Sequence, residues 1–331
     1  VEALLAAMRN DAPVDQICRT LIRLGMNFAG RDAEIVGYGT QEADTAFETI
    51  LSTIDSLEGD AAEAMSNVVT EFITDMTSVN LADSLPGLLA ERIEADLDSG
   101  NPGRSFLMRL KTHMRSGVYW RMIGEGYCKF GNDFARGLEY LRHYGFCQVS
   151  TNPVLAAKAF DEDPDLTNQL ETEIEKHADW KQNPDAHSDD IAMAATLIAL
   201  WPNLSIFRPL SLYTQLKDYM VSFQLNPNIA HLADASIEDA RNAYEVAADF
   251  LKGYDRLLGL GDRSGDMGPC IVFKVAGSHE SARKITTVLN SEGIGTNNTV
   301  VYTVAQEVQL ILDAFEGKAK ALKSGKQVVR T

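Results

Sequence analysis

Apolar residues recur at helical spacing through the first third of the chain. Val14, Ile17, Cys18, Leu21, Leu24 and Gly25 share one face over 14–25, and Phe47, Ile50, Leu51 and Ile54 do so over 44–57. Over 61–79 the stripe is Met65, Val68, Val69, Phe72, Ile73 and Met76. Gly30, Gly37, Gly39, Gly59, Pro86 and the run 99–103 interrupt the stripes, and no sustained stretch alternates with period two. Residues 1–103 therefore read as a helical region, and 104–331 as a second domain. A helix passes through Phe106, Leu107, Leu110 and Met114. Short strands at 127–130, 146–150, 220–225, 270–275 and 299–304 then alternate with helices at 133–143, 236–251, 279–291 and 305–323. A long acidic helical stretch follows Pro153, and 253–268 reads as a loop. Strands alternating with helices predict parallel βαβ units. Nearly continuous apolar strands predict that both faces of the sheet are covered.

Composition narrows the function classes. The 331 residues are 45% hydrophobic and 23% charged, enough apolar material for a sizeable core. A net charge of -17 opposes phosphodiester backbones and anionic lipid, so no nucleic-acid or membrane partner is expected. No uninterrupted apolar run approaches the ~18 residues that span a bilayer. Cys18, Cys128, Cys147 and Cys270 lack CxxC spacing and read as core thiols of a reducing, cytoplasmic compartment. The chain opens on Val1 without a signal-like segment, which suggests a processed product or part of a longer protein. Gly259–Gly265 loosely echoes a dinucleotide fingerprint but follows a helix rather than a strand, so no such cofactor is expected. His231, Arg208, Trp180 and Trp201 read as structural: a surface histidine, a donor to a helix end and two packing rings.

One residue conflicts with its surroundings. Ile271-Val-Phe-Lys-Val275 places Lys274 inside an otherwise buried strand, and lysine is rarely buried unless paired or functional. Such a lysine lies on an edge strand, pairs with a carboxylate, or is an amine used in covalent chemistry at the C-terminal end of a parallel strand. The other strands also carry polar groups: Ser150-Thr-Asn-Pro153 closes one, Ser222 and Gln224 alternate in another, and Asn297-Asn-Thr299 opens a third. Together they could line a polar cavity at the centre of a barrel.

These segments resemble the transaldolase family, in its longer bacterial form. Phe146-Cys-Gln-Val-Ser-Thr-Asn-Pro-Val-Leu155 is similar to the family's strand-two signature. Ile206–Pro209, Val221–Pro227 and Ala235–Arg241 resemble its third unit, Ile271–Ser278 its Schiff-base lysine strand, and Gly293–Tyr302 with Ala305-Gln306 the next strand and helix. The likeness spans about 127–323 in the family's order. It implies a class I aldolase-type (β/α)8 TIM barrel, of which about five βα units fall in this chain, preceded by the helical region. It implies transfer of a dihydroxyacetone unit between sugar phosphates, chemistry of the pentose phosphate pathway, with no metal or organic cofactor. Lys274 would form the Schiff base and Thr299 would hold a proton-shuttling water. Asn152, Thr151, Asn297, Asn298 and Ser222 would bind substrate.

Three departures from the family pattern stand out. Gln224 occupies the position of a glutamate that orients water, and an amide cannot take the proton. The first-strand aspartate aligns with Asn132, leaving Asp133 beside it. The later phosphate-binding serine and arginine have no counterpart, and five strands do not close an eight-stranded barrel. The expectation is a further segment or chain completing the barrel, or a homo-oligomer. The amides also admit an alternative, a catalytically impaired member with a structural or binding role.

Overall fold

The structure, a computed structural model, describes residues 12–79, 84–261 and 267–329. Residues 262–265 of the glycine-rich stretch lie outside the described residues. The chain forms two compact units. One runs to Phe130 and includes Arg136–Phe146, and the other joins Gly131–Ala135 to the residues from Cys147 onward.

The first unit is helical: α1 (Val14–Ala29), α2 (Asp32–Ile35), α3 (Thr40–Asp55), α4 (Asp60–Ser78), α5 (Leu85–Ala95), α6 (Pro102–Ser116), α7 (Val118–Gly124) and α8 (Leu138–Leu141). The stripes read from the sequence form its core, except that Val14 in the first turn is exposed. Pro13, which lacks an N–H, precedes α1, and Asn101 caps α6 by accepting from Arg104 N. Phe106, Leu107, Leu110 and Met114 of α6 belong to this core, so the helical unit extends past residue 103. A Cβ on Gly25 would meet Leu107 Cδ1 at 2.3 Å, so only glycine lets α1 and α6 approach this closely. Behind α1, buried His143 shares an Nδ1···Oδ2 contact of 2.5 Å with buried Asp32, and Arg142 Nη1 donates to Asp32 Oδ1 at 2.5 Å.

The second unit holds a parallel sheet in the order β1-β2-β3-β4-β5. Its strands are Gly131–Asn132, Gln148–Ser150, Met220–Gln224, Ile271–Ala276 and Thr296–Thr299. Its principal helices are α9 (Pro153–Glu162), α10 (Pro164–Glu175), α11 (Ala178–Gln182), α12 (Ser188–Tyr213), α13 (Ala233–Leu257), α14 (Ser281–Ser291) and α15 (Val304–Lys323). Among the described residues, neither β1 nor β5 pairs along its outer edge. The core of the unit lies between the helices and one face of the sheet. Val149, Val221, Ile271, Phe223 and Phe273 are buried on that face, and the rings of Phe223 and Phe273 meet edge-on at 5.9 Å. The helix α12 is apolar and long enough, by those measures alone, to cross a bilayer; here it packs against β3 and buries Leu197, Leu200, Leu204 and Phe207.

Several boundaries differ from the sequence reading. The strand expected at 127–130 begins only at Gly131, because Phe130 stacks on Phe146 at 5.6 Å inside the helical unit. The helix expected over 133–143 shrinks to α8 and a 3-10 turn, preceded by Gly137 at φ +92°. The last strand occupies 296–299 rather than 299–304. Val300 turns into left-handed backbone at φ +58°, and Thr303 with Gln306 closes a reciprocal cap that starts α15 at Val304. The loop expected from Gly253 starts later, since α13 continues to Leu257.

Arg208 is a structural donor, as expected, but not to a helix end. Its guanidinium meets Asp255 of α13 in three N–H···O contacts of 2.7–3.2 Å and donates to Gly268 O at 2.7 Å, just before β4. Trp201 stacks on Phe250 at 4.2 Å and Trp180 on His177 at 4.0 Å. His231 is exposed just ahead of α13.

Candidate active site

The strand register sorts the polar residues between the two faces. Residues in register on neighbouring parallel strands share a face, and the side alternates along each strand. Ser150 is in register with Ser222, Gln224 with Lys274, Lys274 with Asn297, and Ala276 with Thr299. Ser150, Ser222, Gln224, Lys274, Asn297 and Thr299 therefore share the face opposite the helix-packed core.

Lys274 is half-buried on β4, which has a strand on each side. Its Nζ donates to Ser150 Oγ at 3.2 Å, across β3. Among the described residues no carboxylate lies within ion-pair distance of it. The edge-strand and paired-lysine explanations both fail here. A second bridge crosses β4: Ser222 Oγ donates to Asn297 Oδ1 at 2.8 Å. Strands two apart in a flat sheet are separated by roughly 9.6 Å, more than a serine and an asparagine side chain span. The sheet is therefore concave toward Lys274.

The other sequence candidates divide. Gln224 and Thr299 are half-buried beside or one step beyond Lys274. Asn152 caps α9, its Oδ1 accepting from Leu155 N at 2.9 Å, so the Nδ2 hydrogens are the part of the amide left for a ligand. Three residues are not brought to Lys274. Asn298 is in register with Val275 on the helix side, where its Oδ1 accepts from Thr286 Oγ1 at 3.0 Å. Thr151 is fully buried, its hydroxyl turned to Asn152 O at 3.4 Å. Asn132 is in register with Val149, again the helix side, and its Nδ2 donates to Phe134 O at 2.9 Å. Asp133 follows in the alternate position but is exposed beyond the end of β1.

Two residues escaped the sequence reading. Ser150 has no role in the sequence reading beyond closing its strand, although alternate positions along β2 select it over Thr151. Asp239 of α13 lines a pocket of about 150 Å³ at the end of β3 together with Gln224, Asn226 and Pro153. Burial pushes its carboxyl above the usual range, only partly offset by the Asn226 N–H donating to it at 3.3 Å. It falls within the segment Ala235–Arg241 that resembles the family's third unit, but no periodicity or spacing there singles it out.

In chemical terms the face offers one amine held by a hydroxyl, two amides, a buried serine and a threonine hydroxyl, in a hollow whose rear is apolar. That set can form a covalent adduct with a carbonyl and hydrogen-bond the hydroxyls around it. The family model described as transaldolase/fructose-6-phosphate aldolase matches residues 132–327, which contain β2 to β5 and begin at the second residue of β1. No curated protein matches the chain.

Proposed function

Since the chain belongs to the transaldolase/fructose-6-phosphate aldolase family, its sheet being five strands of that family's barrel, we propose that it transfers or cleaves a dihydroxyacetone unit of a sugar phosphate through a Schiff base on Lys274. The observation that carries this reading is an amine on a central strand with a hydroxyl, not a carboxylate, as its neighbour.

The neutral Lys274 amine attacks the ketose carbonyl. The carbinolamine loses water to give an iminium, with Ser150 holding Nζ in line. Proton loss from the hydroxyl two carbons from the iminium carbon turns its carbon into the aldehyde of a departing aldose phosphate, and the electron pair of the broken Cα–Cβ bond moves into the iminium as an enamine. Gln224 and Thr299 hold the water that receives this proton. Because an amide cannot itself accept it, the proton passes on to solvent or to a carboxylate. Asn297, fixed by Ser222, and Asn152, fixed as a helix cap, present their Nδ2 hydrogens to the retained three-carbon unit. Attack of the enamine on an acceptor aldehyde, or its protonation by water, followed by hydrolysis, returns the free lysine.

Borohydride reduction in the presence of fructose 6-phosphate tests the proposal. A stable adduct should map to Lys274 and vanish in Lys274→Met. No adduct at saturating sugar would instead favour the impaired-enzyme reading, which the amide at Gln224 supports.

A further inference from the structure

The helical unit carries a cavity that the proposed reaction does not use. It is about 500 Å³ in volume, within the range of small-molecule sites, and is lined by Arg31, Arg115, Trp120, Arg121 and Glu125. Three guanidinium groups around one hollow run against the character of a chain whose net charge is -17.

Their arrangement is specific. Trp120 takes two cations: Arg31 Cζ lies 4.1 Å and Arg115 Cζ 5.3 Å from its ring centroid. Arg31 is only 8% exposed, donates to Trp120 O at 2.7 Å and to Glu34 at 2.9 Å, and leaves its buried Nε without a partner. A Cβ at Gly124 would come within 2.4 Å of Arg31 Nη2, so the glycine keeps room for the guanidinium. Arg115 is held by its Nε donating to Ala29 O at 3.3 Å. The carboxylates facing this group are Glu34, already engaged by Arg31, Glu125 on the rim, and Asp44, which feels Arg115 but is held by Lys111 Nζ at 2.9 Å. Like charges gathered on one ring repel each other, and a bound anion removes that repulsion.

We infer that this cavity binds a small phosphate-bearing ligand through Arg31, Arg115 and Arg121. Arginine forks match the tetrahedral oxygens of a phosphoryl group with paired, charge-assisted hydrogen bonds. A chain this acidic has little other reason to gather them.

Trp120 is a built-in reporter. The Lys274→Met protein, in which no Schiff base can contribute, is titrated with inorganic phosphate and with fructose 6-phosphate at constant ionic strength. Tryptophan emission and calorimetry are followed in parallel. At least one ligand should saturate the response, and its identity separates a free-phosphate site from a phosphate-ester site. Trp120→Phe should lose the optical change. Arg115→Gln combined with Arg121→Gln, both exposed positions, should raise Kd by about tenfold or more, since hydrogen bonds to charged groups contribute roughly 1.5–3 kcal/mol. Should the double variant fail to fold, Arg121→Glu alone must give the same loss. Absence of saturation with both ligands, or an unchanged Kd in a folded arginine variant, overturns the inference.

Discussion

Asp255→Ala should be among the most damaging single changes to the second unit. Arg208 and Asp255 are both 3% exposed, and the carboxylate is the anionic partner of that guanidinium. Removing it leaves Arg208 with the carbonyls of Gly268 and Met267 alone, at 2.7 and 3.5 Å. Breaking one side of a buried pair costs about 3–5 kcal/mol, most of it the penalty of an uncompensated charge. For a unit of this size each kcal/mol lowers Tm by roughly 2–4 °C, so a fall of about 6–20 °C is expected. Replacing both partners, Arg208→Met with Asp255→Leu, should recover most of the loss, because apolar residues of similar volume need no counter-charge. Thermal unfolding by circular dichroism is the assay. A single-variant loss under about 1 kcal/mol, or a double variant melting no higher than the single, would refute the reasoning. Because Gly268 leads into β4, borohydride trapping on Asp255→Ala also shows whether this clamp positions Lys274.

Other outcomes follow from the site and from the helical unit. Asn297→Ala should lower turnover by about 10²-fold, the scale of losing one positioned donor, whereas Asn298→Ala should change it only a few-fold; steady-state assays with sugar phosphates compare them. Gln224→Glu should raise turnover by about tenfold or more, since a positioned acid/base is worth roughly 10²–10⁴, and an unchanged or lower rate would mean the water is handled elsewhere. Acid should destabilise the helical unit through His143 and Asp32. Burial holds the His143 imidazole below its ordinary 6.5, against the pull of Asp32, so the unfolded chain takes up a proton that the fold refuses. That contribution is complete above about 6.5 and is lost as pH falls below it. Burial pushes the Asp32 carboxyl up, but His143 and Arg142 hold it below 3.8, adding a further loss at lower pH. Melts between about pH 7 and 4.5 should show Tm falling with pH, and His143→Asn, which keeps a donor for Asp32, should flatten the slope near 6.

The helical stripes and the β–α alternation were legible because burial imposes a period on the sequence. Lys274 was legible because a cation inside an apolar run breaks that period. The choice between Asn297 and Asn298, or Ser150 and Thr151, was not. It depends on register, and a one-residue slip moves every side chain to the other face. The strand at 299–304 misled for a related reason. Thr-Val-Val-Tyr-Thr has high strand propensity, yet the cap at Thr303 wins the last of these residues for a helix start. Arg208 and Asp255 are 47 residues apart, and nothing local announces their meeting.

Val300 sits directly after Thr299 with a branched side chain in a backbone region that such residues avoid, at a cost of order 1–3 kcal/mol. Glycine there would ease the bend and let the preceding hydroxyl wander. Durability and turnover should therefore move in opposite directions at this one position, so selection for toughness alone would blunt the catalyst. A library sorted first by heat and then by rate would expose that conflict.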